Sequence, residues 1–226
     1  AGGVAYSSAL MDLILMVRGK SQLFITGPEV IKTVTHEEVS LETLGGAKVH
    51  SEKSGVCDLV ADDEAGLIQS IKDILSFLPQ SHKELPPRVN STDDPERRDE
   101  TLRTIIPEDP KKSYDMHKVL SRLLDHGHFF EMKPRFARNI LTGFGRMDGW
   151  PVGIIANQST HLAGALDRPA LAGTGAVFYR RPPGPHMRAW FKKMTQFLDA
   201  GAYEGVLGMN RRNLEYIYPL NARKDY

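Results

Sequence analysis

ILTGFGRMDGWPVGIIAN, residues 140–157, is the stretch on which the fold of this chain turns. Two apolar runs, Ile140 to Arg146 and Pro151 to Asn157, flank Met147-Asp148-Gly149-Trp150. Asp-Gly accepts the positive φ of a tight turn, so the stretch predicts a β-hairpin. Just upstream, Met116 to Leu124 predicts a helix and Phe129-Phe130-Glu131-Met132 a strand. Helix, strand and hairpin in this order open an α/β lobe over residues 113–167.

Further upstream, residues 1–79 alternate helical and strand signals. A helix is predicted after Gly2-Gly3, running through Ser7 to Met11 and on to about Val17, stopped by Gly19. Gln22 to Thr26 predicts a short strand closed by Gly27-Pro28, with Pro28 opening a helix through Val34. Ser40 predicts an N-cap for a helix from Leu41 to Leu44, ended by Gly45. Cys57 to Val60 predicts a strand. Asp62 or Asp63 then caps a helix carrying Leu67, Ile68, Ile71, Ile74, Leu75 and Leu78, one stripe of a helix packed on a core. Residues 80–112 form a linker between lobes, in a region from Pro79 to Pro110 that holds six of the chain's 14 prolines. Proline at this density blocks helix and central strand, leaving room for a short helix from Glu96 to Leu102. Beyond Asp167, Arg180 to Pro185 reads as a loop. Ala189 to Ala200 is helix-compatible, with an apolar stripe including Trp190, Phe191 and Met194.

The 226 residues, 41% hydrophobic and 25% charged, suffice for a buried core and exclude wholesale disorder. A single cysteine, Cys57, excludes an internal disulfide framework and a Cys-based zinc cluster. The longest strongly apolar stretch, Ala9 to Val17, contains Asp12 and falls short of the ~20 residues a membrane helix needs. No secretory signal is read at the front, and no membrane partner is expected. The first residue is Ala1 rather than Met, which favours a start inside a longer sequence. Residues 168–226 carry ten Lys/Arg against four Asp/Glu, so the net charge of +1 hides a basic tail on an acidic body. The basic residues come as scattered pairs without a nucleic-acid motif, and no nucleic acid is expected as partner.

Gly2-Gly3 before a helix is the first candidate site. Consecutive glycines bare the backbone, and a helix start adds unpaired N–H groups and a positive dipole end. Such a place can hold a carboxylate, a phosphate or an enolate oxygen; a Gly-Gly turn can equally be structural. His126-Gly127-His128 lacks the convergent ligands of a metal site, and no bound metal is expected. His36, His50 and His161 are isolated. Ser7-Ser8 lacks the nucleophile elbow. Gly173-x-Gly175 lacks the third glycine of a dinucleotide loop. Cys57 reads as packing.

The order of several segments resembles the carboxyltransferase (β-type) subunit of biotin-dependent acyl-CoA carboxylases, most closely the propionyl-CoA carboxylase branch. The stretches are Ala1 to Ser7, Phe24 to Thr35, Glu42 to Ala47, Lys53 to Val56, Ser113 to Met116, Phe129 to Glu131 and Gly143 to Gln158. The resemblance implies an α/β, crotonase/ClpP-like carboxyltransferase fold, incomplete at both ends. Residues 1–79 become the back half of the acyl-CoA lobe, 113–167 the start of the biotin lobe, and 168–226 a divergent basic tail. Gly205 to Asn213 within that tail is similar to the start of an ATP-grasp glutamate-ligase-like protein.

The implied activity moves CO2 from carboxybiotin to the α carbon of an acyl-CoA through a thioester enolate, with this truncated chain inactive alone. Gly2 and Gly3 match the family's oxyanion-hole pair for that enolate. The implied cofactor is biotin, as carboxybiotin on a partner carrier. The implied partners are acyl-CoA, the biotin carboxyl carrier or biotin carboxylase subunit, and further copies of the subunit. The implied location is cytoplasmic, or the mitochondrial matrix in a eukaryote. A non-catalytic fragment that associates with a full subunit, and a crotonase-type hydratase or decarboxylase, stand as alternatives.

Overall fold

The protein is described from a computed structural model that covers residues 2–81, 83–109, 111–165 and 167. The tail readings, including the loop at 180–185, the helix at 189–200 and the glutamate-ligase-like stretch, lie outside the described residues. The described chain forms two compact units, residues 2–76 with 132–138, and residues 77–131 with 139–167.

In the first unit the order is α1 (Gly3–Ala9), β1 (Leu15–Val17), α2 (Pro28–Thr35), α3 (Leu41–Gly45), α4 (Ala47–Val49), a π-helical turn (His50–Ser54), β2 (Leu59–Ala61) and α5 (Glu64–Phe77). β1 and β2 pair in parallel, from Leu15 opposite Leu59 to Val17 opposite Ala61. Met16, Ala47 and Cys57 form the buried centre, flanked by Ile14, Leu23 and Val60. Parallel pairing needs a long crossover, and the helices between β1 and β2 supply it.

Three expectations are corrected here. The helix predicted through Val17 stops at Ala9, and its last apolar residues are strand β1. Ile14 N–H donates to the Asp58 carboxylate (2.7 Å), Asp58 N–H to the Ile14 carbonyl (2.8 Å), and Arg18 N–H to the Ala61 carbonyl (2.9 Å). A short continuous apolar run fits a buried strand as well as a buried helix, so sequence period alone misassigns it. The strand predicted over Gln22 to Thr26 shrinks to one bridge, Gln22 to Gly46. Its carbonyls serve glycines instead of a ladder: Phe24 and Ile25 accept Gly2 N–H, while Leu23 N–H donates to the Gly45 carbonyl (2.8 Å). The stripe on α5 is buried on one line only. Ile74 and Phe77 are 2% and 4% exposed, but Ile68, Ile71 and Leu75, one line over, are 52%, 38% and 58% exposed.

The predicted caps form. Ser40 Oγ accepts Thr43 N–H (3.1 Å) and Thr43 Oγ1 accepts Ser40 N–H (3.0 Å), a capping box with Thr in place of Glu. Pro28 opens α2 as its first helical residue.

In the second unit α6 (Leu102–Ile105) and α7 (Met116–Leu123) precede the strands β3 (Phe129–Met132), β4 (Ile140–Met147) and β5 (Trp150–Asn157), in sheet order β3-β4-β5. The predicted hairpin forms: β4 and β5 pair antiparallel from Ile140 opposite Asn157 to Met147 opposite Trp150. Asp148 and Gly149 both have positive φ, 52° and 75°, as a type I′ turn requires. Met116, Val119 and Leu120 of α7, with Leu124 just past it, pack on Leu141, Met147 and Ala156.

The short helix expected from Glu96 to Leu102 appears later, as α6. Asp94 accepts Glu96 N–H (2.9 Å) and Asp99 accepts Thr101 N–H (3.0 Å), so two side-chain turns occupy the backbone before the helix can begin. The proline-rich segment is held to the hairpin turn. Val89 N–H donates to the Gly149 carbonyl (3.1 Å), Arg146 to the Pro87 carbonyl (3.0 Å), and Arg88 pairs with Asp148 (2.8 Å).

Candidate functional site

Gly2 takes φ 69° and ψ −141°, a region open only to glycine, and this reversal lets α1 begin at Gly3. Gly2 N–H is shared between the carbonyls of Phe24 (3.3 Å) and Ile25 (3.1 Å). Its own carbonyl accepts Ala5 N–H (3.0 Å) and closes the first turn. The N–H groups of Gly3 and Val4, in that first turn, meet no acceptor among the described residues. A Cβ on either glycine would meet nothing within 4 Å, so the backbone there is open to an incoming group. Val4, Tyr6 and Ile25 are exposed apolar side chains of the same segments.

Other candidates resolve differently. Ser8 Oγ donates back to the Val4 carbonyl (3.0 Å). His126 N–H donates to the Asp93 carboxylate (3.1 Å), while His128 stacks on Phe77 with ring centroids 6.5 Å apart, so the two imidazoles do not converge. Among the described residues no three His, Cys, Asp or Glu side chains are grouped as metal ligands. His36 ends α2 in the left-handed region, and His161 lies beside Thr160. His50 contacts the Leu23 carbonyl and Ser54 Oγ (2.8 Å). Cys57 is fully buried, and burial, with Asp58 beside it, pushes its thiol up to about 11. It packs, as the sequence indicates. Gly173 and Gly175 lie outside the described residues.

One cluster escaped the sequence. His117 lies between Asp115 and Glu131, with Nδ1 2.9 Å from Asp115 Oδ1 and Nε2 2.9 Å from Glu131 Oε2. Asp115 and His117 two positions apart at a helix start carry a weak signal. Glu131 comes to them only when β3 packs beside α7.

With the Gly2-Gly3 backbone placed, comparison with known proteins identifies the relatives. Residues 1–176 match the carboxyl transferase domain family. The chain belongs to that family. It is 51% identical over 180 residues to the propionyl-CoA carboxylase carboxyltransferase subunit of Haloferax mediterranei, covering 80% of this chain and 35% of that one. It is 48% identical over 167 residues to the methylmalonyl-CoA decarboxylase subunit alpha of Veillonella parvula, covering 74% and 33%. Among solved structures, transcarboxylase 12S with methylmalonyl-CoA and methylmalonic acid bound aligns with TM-score 0.75 at 41% identity, covering 78% of this chain and 34% of that one. The α/β fold is therefore the crotonase-like carboxyltransferase fold. The chain spans about a third of the length of the curated relatives it matches. Among the described residues no helix is long and apolar enough to cross a membrane.

Proposed function

We propose that this chain is the carboxyltransferase component of an acyl-CoA carboxylase acting on propionyl-CoA or a similarly short acyl-CoA. Carboxybiotin, a substrate borne by a partner carrier protein, supplies the carboxyl group. The carrying observation is the Gly2-Gly3 backbone, open at the start of α1, in a chain 51% identical to a propionyl-CoA carboxylase subunit. Residues 1–79 serve the acyl-CoA side, 80–112 join the lobes, and 113–167 begin the biotin side. Copies of the chain associate with one another, and the assembly is cytoplasmic.

When the α proton of an acyl thioester leaves, negative charge gathers on the thioester oxygen. A fixed N–H aimed at that oxygen stabilises it more than it stabilises the substrate. Gly2 N–H is already shared by two carbonyls, so its part is to turn the backbone. Gly3 N–H, which like Val4 N–H meets no acceptor among the described residues, is the member of the pair left to donate. Among the described residues the buried side-chain nitrogen without a hydrogen-bond partner is Arg97 Nε, which faces Asp93 at 2.7 Å. Paired with a carboxylate, it is no cradle for a ureido ring.

Gly3→Pro tests the reading. Proline suits the first position of a helix and removes only the N–H. In an assembly that supplies the rest of the subunit, transfer of label from methylmalonyl-CoA to free biotin is expected to fall on the order of 10²–10³-fold; an unchanged rate removes Gly3 as the donor. The likeness to a methylmalonyl-CoA decarboxylase subunit favours decarboxylation as a second reading. Release of the label as CO2, with none on biotin, selects it.

A further inference from the structure

His50 takes no part in the chemistry proposed above, yet its imidazole is tied to the glycine turn. The segment from Gln22 to Ile25 carries the carbonyls of Phe24 and Ile25, which share Gly2 N–H (3.3 and 3.1 Å). Among the described residues a single bridge, Gln22 to Gly46, stands in that segment in place of a ladder. Leu23 is therefore held by individual bonds. Its N–H donates to the Gly45 carbonyl (2.8 Å), and its own carbonyl faces His50 Nε2 at 2.5 Å. Gly45 permits the close approach, since a Cβ there would run into the Leu23 carbonyl oxygen. His50 is itself mounted on fixed backbone. Its N–H donates to the Gly46 carbonyl (3.2 Å), and its carbonyl accepts the N–H of Cys57 (3.1 Å), which belongs to the buried centre of the unit.

A backbone carbonyl only accepts, so the nitrogen facing Leu23 carries a proton. Nδ1 lies 2.8 Å from Ser54 Oγ, a hydroxyl that donates to a neutral ring and accepts from a doubly protonated one. The Nε2 donor therefore stays on Leu23 in both forms of the ring, and the tie holds across the pH range in which the ring titrates. A peptide unit is planar and rigid, so fixing the Leu23 carbonyl fixes where the next unit begins, and that unit carries the Phe24 carbonyl. We propose that His50 is a positioning residue for the oxyanion turn. Through Leu23 it sets the two carbonyls that hold Gly2, and through Gly2 it aims the N–H of Gly3. This role rests on the reading of Gly3 N–H as the donor to the enolate oxygen.

Amide exchange at Gly2 in the full 226-residue chain tests the tie without turnover. His50→Ala and His50→Asn are expected to quicken it about three- to tenfold, because the Asn amide stands where Nδ1 stood and does not reach Leu23. His50→Gln places its amide where Nε2 stood and should stay near the parent rate. In an assembly that supplies the rest of the subunit, label transfer from methylmalonyl-CoA to free biotin tests the catalytic consequence. For His50→Ala kcat should fall about 10- to 100-fold at nearly unchanged KM. It should recover in His50→Gln, and His50→Ala should add little to Gly3→Pro. Gly2 exchange that is blind to His50→Ala overturns the tie, as does a Gln variant that behaves like the Asn one. A quickened Gly2 amide with kcat at the parent level overturns the positioning role. Gly3→Pro without effect removes the oxyanion reading and the catalytic part of His50 with it, while Gly2 exchange still decides the tie. If the Ala and Asn variants do not fold, nitrogen shifts of the parent imidazole decide: a neutral ring with its proton on Nδ1 overturns the tie.

Discussion

Asp125 is 5% exposed, and its carboxylate accepts Asp148 N–H (3.0 Å) and Gly149 N–H (2.7 Å), the two central amides of the hairpin turn. Hydrogen bonds to a charged group contribute about 1.5–3 kcal/mol each, and an orphaned buried N–H costs a similar amount. Asp125→Ala is therefore expected to cost at least about 2 kcal/mol, read as a drop in the urea midpoint at unchanged slope. Gly149 is constrained further. Its φ of 75° disfavours any side chain, and a Cβ there would run into the Val89 carbonyl oxygen. Gly149→Ala should cost about 1–3 kcal/mol from backbone strain alone, with the clash added, whereas Gly3→Ala, helical and unobstructed, should leave the urea midpoint near its parent value. Cys57 is predicted inert. With its thiol at about 11, alkylation at pH 8 should be negligible in the native chain and prompt after unfolding in urea.

At the scale of elements, two ion pairs separate by burial. Lys133 and Asp58 meet at 2.8 Å with side chains 12% and 6% exposed, and Asp58 also accepts Ile14 N–H at the head of β1. Lys133→Met strands that carboxylate and should destabilise by about 3–5 kcal/mol. Adding Asp58→Asn should recover part of the loss, which a double-mutant cycle in urea measures. Lys20 and Glu64, at 2.7 Å, are each 62% exposed. Breaking that pair should leave the urea midpoint close to its parent value. Element identity was legible where one local signal sufficed: Asp-Gly for the hairpin, Ser40 for α3, Pro28 for α2. It failed where two elements share a pattern. Leu15 to Val17 satisfies its backbone with β2, more than forty residues away in sequence, and nothing within the run announces that partner.

For the whole molecule, family membership was legible because seven separated segments stand in the right order, and the family matches over residues 1–176. The glycine pair was legible as a candidate, since glycines lack the side chain that would cover the backbone. By itself the sequence determined the α/β class, the hairpin and the caps. Each of these follows from the φ freedom, side-chain hydrogen bonding or periodicity of neighbouring residues. Only the tertiary structure decided which of the two glycine N–H groups stays open, because the carbonyls that occupy Gly2 come from Phe24 and Ile25. It alone decided which line of α5 is buried, and it alone brought Glu131 to His117. Hydrogen bonds and burial between distant segments depend on where packing sets the backbone, and local sequence pattern carries no record of that distance.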